Sequence, residues 1–300
     1  MVRLAYGLVL LTAVFWALER LFGLPRESAA DPTDPADPAD PAARRFCGIR
    51  RDTWTDLVYW FFTPLVTRTI TYGGVVLAAA LLALAAGAEI RVGVGVEALV
   101  AGSTVGRQPR WLQAIEVLAL LDLTGYWIHR AFHRGRLWRF HAVHHSPRDL
   151  TWLSSVRLHP INDLVPRVAQ IVLLLALGFD PAVLAGAVPA LGFYALLLHA
   201  RVPWTFGPLR HVLASPAFHR WHHTSQAEGR DRNFAGFLPL WDLVFGTYYL
   251  PQGRQPRRFG VDGEAVPEGF WAQLAWPFRR PRAAAGAAML PADAPPPPAQ

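Results

Sequence analysis

The sequence predicts an all-α fold: an integral membrane helical bundle of about four to five spans, carrying a histidine-rich helical cap. Three observations predict it. Hydrophobic residues make up 52% of the 300-residue chain and charged residues only 17%, with a mean hydropathy of +0.21, which suits several membrane helices better than an ordinary soluble enzyme. Apolar stretches of helix length recur along the chain. All eleven histidines fall between His129 and His223, the boundary regions of those stretches.

The first apolar stretch, Leu4 to Phe22, is long enough to span and carries Glu19 and Arg20 near its end. A cleaved signal peptide competes with that reading, but Met1–Arg3 is barely basic and no small-x-small cleavage site follows. Residues 31–41, DPTDPADPADP, cannot continue a helix and read as an extended, solvated linker. Between Leu57 and Ala86 the front part, with Trp60, Phe61, Phe62 and Pro64, reads as an aromatic interfacial helix, and Ile70–Ala86 as the span. A glycine-containing loop follows over 93–106. Trp111–Ile128 is the next apolar helix and runs straight into the first histidines.

Leu164–Gly178 and Ala182–Leu198 are separated only by Phe179-Asp180-Pro181, the spacing of a helical hairpin. The alanine- and proline-rich end, 282–300, reads as disordered. The expected organisation is an N-terminal membrane helix over 1–23, a linker over 24–52, interfacial and spanning helices over 53–110, a histidine-bearing domain over 111–251 and a tail over 252–300.

Formal charge is +7, and every one of the 29 basic residues is arginine. Arginine beside apolar helices fits a membrane surface, and no nucleic-acid-binding motif is present. Arg130, Arg134, Arg136, Arg139, Arg148 and Arg157 precede the hairpin, and Arg201, Arg210, Arg220, Arg230 and Arg232 follow it. Both sets therefore face the cytoplasm, and a hairpin between them puts them on one side, as it must. The lone Cys47 excludes an intramolecular disulfide and any cysteine-based metal cage.

The histidines form three tight groups: His129/His133 as HxxxH, then His141/His144/His145 and His219/His222/His223, each as HxxHH. Spacings of three and four place imidazoles on one helical face. Neutral imidazole is a borderline ligand for iron, zinc, copper and nickel, and eight such nitrogens exceed what one tetrahedral zinc uses. A single HxxxH is ordinarily a solvated or packed face. Three groups flanking a membrane hairpin are costly to desolvate unless a metal holds them. His199, at the end of the second hairpin helix, is a ninth candidate ligand.

Two residues complete the candidate catalytic set. His159 is a tenth ligand or a group supporting one. Asp122, two helical turns before His129, either supports a ligand's second ring nitrogen or makes a helix-packing hydrogen bond. Asp149, Asp163 and Asp242 are further candidates for that support. His211 is a surface residue.

From Glu116 to Pro251 the chain resembles the fatty acid hydroxylase / sterol desaturase superfamily, through HRAFH, RFHAVHHSPRDLTWLSSVRLHPIND, LLLHARV, SPAFHRWHH and NFAGFLPLWDLVFGTYYLP. The resemblance implies a four-helix membrane core capped by a cytosolic domain holding two irons. It implies O₂-dependent hydroxylation or desaturation of a lipid drawn from the membrane. Electrons would come from a separate donor (a ferredoxin, a cytochrome b5 or a reductase), since no fused cytochrome b5 domain is visible. The implied ligands are His129, His133, His141, His144, His145, His219, His222 and His223, with His199. Arg201 departs from the asparagine often found two residues after the His199 position. A non-catalytic metal-binding or metal-transporting membrane protein, or a scaffold, is the alternative; transport would place histidines within the spans.

Overall fold

The computed structural model describes residues 1–24, 45–46, 49–85 and 103–280. Among these the regular elements are helical, apart from one short antiparallel pairing of Arg45–Phe46 with Ile49–Arg50 and an isolated antiparallel bridge between Thr224 and Phe259. The long helices are α1 (Val2–Phe22), α2 (Arg51–Phe62), α3 (Arg68–Ala85), α4 (Arg110–Phe132), α6 (Pro160–Ala176) and α7 (Pro181–His199). Short helices α5 (Trp138–His145), α8 (Pro216–His222), α9 (Leu240–Val244) and α10 (Phe270–Ala275) lie among the loops.

Local chemistry fixes the starts of the helices that frame the centre. In α6, α7 and α8 a proline stands at the first helical position, where its missing N–H costs nothing. The residue before each proline caps the helix: His159 Nδ1 accepts from Ile161 N, Asp180 Oδ1 from Ala182 N and Ser215 Oγ from Phe218 N. The hairpin expected between α6 and α7 is present, turning at Gly178, whose φ of 83° suits glycine.

Hydrogen bonds set the directions of the bundle. At the start of α4, Arg110 Nε meets Asp180 Oδ2 at 2.8 Å, and Gln113 Oε1 accepts from Asp180 N at 2.9 Å. Helices α4 and α7 therefore begin together and run side by side to His129 and His199. Helix α6 runs back between those levels, with Gln170 Nε2 donating to Leu121 O at 2.7 Å. Val117, Leu121, Leu174, Leu175, Phe179, Val183, Leu184 and Ala187 form the apolar core of these three helices.

Helix α1 docks at the histidine end. Phe15 stacks on Trp152 at 5.0 Å, and Glu19 takes both the backbone N–H and the guanidinium of Arg201. Arg201, the departure from the family pattern, thus anchors the N-terminal helix. By length and composition, Val2–Phe22 and Pro181–His199 are apolar enough to cross a bilayer.

Two boundaries differ from expectation. The stretch from Arg51 to Ala85 has no backbone break between its aromatic and aliphatic parts: a π-helical turn at Thr63–Thr67 carries the backbone through Pro64, so the helix continues. Helix α4 extends past Ile128 to Phe132, which puts His129 on the helix and His133 at its cap. The linker over 31–41, most of the 93–106 loop and the tail over 282–300 lie outside the described residues.

Candidate metal centre

Nine histidines converge where α4, α5, α7 and α8 meet, and they divide into two groups. His129, His133, His141, His145 and His222 form one, and His144, His199, His219 and His223 the other. Within each group the candidate ligand atoms lie within 4.8 Å of one another. The groups adjoin, the rings of His145 and His223 stacking at 4.4 Å.

Helix geometry explains the division. Residues four apart differ by only about 40° around a helix, whereas adjacent residues differ by about 100°. His141 and His145 therefore serve one group, and His144 turns to the other. His219 and His223 likewise stay together, and His222 crosses over. Each HxxHH box supplies both groups.

The ring nitrogens turned away from the centre are held by donation. His129 Nδ1 donates to Phe234 O at 2.8 Å, His222 Nδ1 to Arg232 O at 2.8 Å, His144 Nδ1 to Arg157 O at 3.2 Å and His199 Nδ1 to Ala195 O at 2.7 Å. His141 Nδ1 donates to Asn162 Oδ1 at 2.9 Å, and His133 Nδ1 to Asp231 Oδ1 at 3.0 Å. A neutral imidazole has one N–H, so these six Nε2 atoms carry bare lone pairs. Burial, reinforced by neighbouring imidazoles, holds His141, His144, His145, His219, His222 and His223 well below the usual histidine range, so they are neutral.

This makes the inner contacts unfavourable as they stand. His129 Nε2 faces His141 Nε2 at 2.9 Å, and His144 Nε2 faces His199 Nε2 at 3.3 Å, lone pair against lone pair. The buried Nε2 atoms of His133 and His222, and the Nδ1 atoms of His219 and His223, have no hydrogen-bond partner. Buried polar atoms are normally paired. A cation held by the Nε2 atoms of each group would remove the repulsion and satisfy the inward-facing orphans, and donation from Nδ1 is the support that ligating histidines use. The residues present fit two metal ions held by neutral imidazole.

Arg157 connects this centre to α2. Its side chain is 1% exposed and pairs with Asp56 at 2.5 Å and Asp52 at 3.1 Å, while its carbonyl receives His144. Burial works against the cation, but the two carboxylates outweigh it and hold the guanidinium firmly charged. A cleft of about 240 Å³ opens onto the five-histidine group, lined by His133, His145, His222, Trp138, Arg230 and Asp231 among others.

Two candidate residues stand elsewhere. His159 belongs to neither group, because both its nitrogens are engaged: Nδ1 caps α6, and Nε2 donates to Leu274 O at 3.2 Å. Its place as a tenth ligand is corrected to that of a helix cap. Asp122 shares the face of His129, but its carboxylate accepts three backbone N–H groups, of Gly236, Phe237 and Leu238. It makes a packing bond to a loop. Asp242 holds the neighbouring backbone, accepting from Phe234 N and Ala235 N at 2.8 Å each, and thereby sets the carbonyl that receives His129. Asp163 pairs with Arg167 at 2.6 Å.

Sequence reasoning missed Asn162 and Asp231 as acceptors for ligand rings. Asn162 stands in the HPIND stretch and could have been singled out as a polar residue in the first turn of an apolar helix. Asp231 has the left-handed φ of 55°, a turn conformation that aspartate tolerates but that no spacing announces.

The architecture defines an all-helical protein with two adjoining groups of histidines that could each hold a metal ion, at one end of an apolar bundle. The chain belongs to the fatty acid hydroxylase family, whose model matches residues 114–247. It is 33% identical to an ornithine lipid hydroxylase of Rhizobium tropici over 236 residues, 76% of this chain and 69% of that one. It is 32% identical over 129 residues to the human alkylglycerol monooxygenase, 43% of this chain and 28% of that one. A very-long-chain aldehyde decarbonylase of Oryza sativa subsp. indica is 31% identical over 179 residues, 53% of this chain and 28% of that one. No solved structure matches the chain.

Proposed function

We propose that the protein is a membrane-bound, O₂-dependent diiron oxygenase that hydroxylates a lipid. The observation that carries this reading is the pair of adjoining imidazole groups with unprotonated nitrogens turned inward. Hydroxylation is favoured over desaturation because the relatives include an ornithine lipid hydroxylase and an alkylglycerol monooxygenase.

An unactivated C–H bond has no acidic proton and no leaving group, so side-chain acid–base chemistry cannot open it; a redox metal pair, when bound, supplies dioxygen activation. His129, His133, His141, His145 and His222 would hold one ion, and His144, His199, His219 and His223 the other. The chain's own contribution is placement. Asn162, Asp231 and four carbonyls fix the rings. Arginines beyond both hairpin ends put the centre on the cytoplasmic side of a bilayer crossed by α7 and its neighbours. A lipid then enters from the membrane, while a separate electron-transfer protein approaches from water.

The test is purification in detergent from iron-supplemented cells, with metal measured per polypeptide and mass-spectrometric detection of a lipid gaining one oxygen atom from ¹⁸O₂. Iron at about two per chain together with such a product supports the reading. A folded protein that binds no metal after anaerobic iron reconstitution would sink it.

A further inference from the structure

Asp122 is a carboxylate inside an apolar helix, and all three of its hydrogen bonds go to consecutive backbone N–H groups: Gly236 at 3.1 Å, Phe237 at 2.8 Å and Leu238 at 2.7 Å. It stands seven residues before His129, about 10 Å along the helix axis. The loop it binds therefore hangs beside α4 well away from the metal groups, towards the Arg110 end. The chain that follows stays at α4, with Phe245 5.2 Å from Tyr126 and 4.7 Å from Trp127.

A second segment lies at a matching level on α7. Tyr194, five residues or about 7–8 Å before His199, donates to Ala214 O and meets the Phe237 ring at 5.1 Å. Ala214 N in turn donates to Phe237 O at 2.9 Å, which ties the two segments together. Both thus flank the α4–α7 pair below the histidines.

Their most exposed side chains are largely apolar: Leu209, Val212, Leu240, Leu243 and Val244 are 53%, 54%, 47%, 43% and 62% exposed, beside an exposed His211 and a half-buried Arg210. The one carboxylate of 236–246 turns inward, Asp242 being fully buried on the N–H groups of Phe234 and Ala235 and the Thr247 hydroxyl. The nearby arginine of α4, Arg130, lies on the histidine side, bonded to the Tyr126 hydroxyl at 3.0 Å and 5.5 Å over the Trp127 ring. Largely apolar side chains outside, satisfied backbone inside and long or amphipathic polar side chains (Arg130, Arg210, His211) that can snorkel to the headgroups form the pattern that a bilayer boundary demands, because irregular backbone reaches hydrocarbon depth only when its N–H groups are paired internally.

We propose that residues 207–213 and 236–246 form an apolar collar immersed in the membrane interface, with a phospholipid surface as its partner. Asp122 is the internal acceptor that allows the 236–238 backbone to sit at that depth. The proposal rests on the membrane reading of the preceding section and goes beyond it, since it sinks part of the cap below the level of the metal groups.

The full chain with Cys47→Ser would carry single nitroxide labels at Leu209→Cys, Leu240→Cys or Val244→Cys, in vesicles of phosphatidylcholine and phosphatidylglycerol. Phe193→Cys on α7, where Phe193 is 63% exposed, reports the span itself, and Arg257→Cys, on the exposed surface, reports water. Power saturation compares collision with oxygen, which concentrates in lipid, and with a water-soluble nickel chelate. The oxygen-to-nickel ratio at 209, 240 and 244 should exceed that at 257 several-fold and approach that at 193. Adding Asp122→Ala to the Leu240→Cys protein should move its ratio several-fold towards the aqueous value, and no movement would remove Asp122 from the proposal. Collar labels as wet as 257, with 193 in lipid, would overturn the collar and leave the membrane reading standing. Collar labels shielded from both reagents would mean a protein partner and would overturn it too. A label at 193 in water would refute the membrane reading itself.

Discussion

Removing the Asp56 carboxylate tests how the region outside the matched family domain supports the metal centre. Asp56 and Arg157 are each 1% exposed and meet at 2.5 Å, so Asp56→Leu strands a guanidinium in a water-poor site. Breaking a buried pair from one side costs about 3–5 kcal/mol. Arg157 keeps Asp52 Oδ1 at 3.1 Å, Asp52 O at 2.8 Å and Ser146 Oγ at 3.2 Å, which places the loss at the lower end. The expected destabilisation is about 3 kcal/mol, roughly a hundredfold in the folded-to-unfolded ratio. Denaturant unfolding of the purified protein in detergent, followed by tryptophan fluorescence, measures it. Since the cost comes from the orphaned cation, Asp56→Leu combined with Arg157→Met should recover most of the loss. A double variant less stable than Asp56→Leu alone, or a single variant within about 0.5 kcal/mol of the parent, would refute this reasoning.

Four further outcomes follow from the same geometry. His144→Ala and His222→Ala should each lower bound iron and abolish lipid oxidation while the protein still inserts; full activity in either variant removes that residue from the mechanism. Asn162→Leu takes the acceptor from His141 Nδ1 and should weaken metal affinity about 10–100-fold, read by competition with a chelator, whereas Asn162→Asp should retain most of it. Asp122→Ala strands three backbone N–H groups and should cost about 2–4 kcal/mol in unfolding, seen in the same fluorescence titration. For the metal-stripped protein, the buried histidines have folded values well below 6.5. The unfolded chain therefore binds more protons below that pH, and stability should fall as pH drops from about 6.5, by about 1.4 kcal/mol per unit for each histidine that titrates. A flat stability profile between pH 6.5 and 5 would contradict the burial.

The histidine boxes were legible because their signal is periodic. Spacings of three and four fix the angles around a helix, and all nine nominated residues stand in the two groups. What surrounds them was far less legible. Four of the six Nδ1 acceptors are backbone carbonyls, of Arg157, Ala195, Arg232 and Phe234. A carbonyl is the same group at every position, so no residue type announces it. His159 and Asp122 misled for a related reason. The Leu274 carbonyl that takes His159 Nε2 and the 236–238 backbone that holds Asp122 arrive from more than a hundred residues away, and chain-local patterns do not contain such pairings. Between Leu57 and Ala86 the change from aromatic to aliphatic composition is real, but Pro64 is absorbed by a π-turn, so composition changes where the helix does not end.

The crossing of ligands within each HxxHH box has a mechanical consequence. Helix α5 hands His141 and His145 to one group and His144 to the other, and α8 does the same with His222 against His219 and His223. A small roll of either helix about its own axis therefore carries imidazoles towards the middle of one group while withdrawing them from the other. If each group holds an ion, the two could not be tuned apart by moving a helix, and loading of the second would depend on how the first had set α5 and α8. The boxes act as a yoke: they couple two groups of imidazoles that share no side chain, so the spacing between the groups is a property of two short helices rather than of any one histidine.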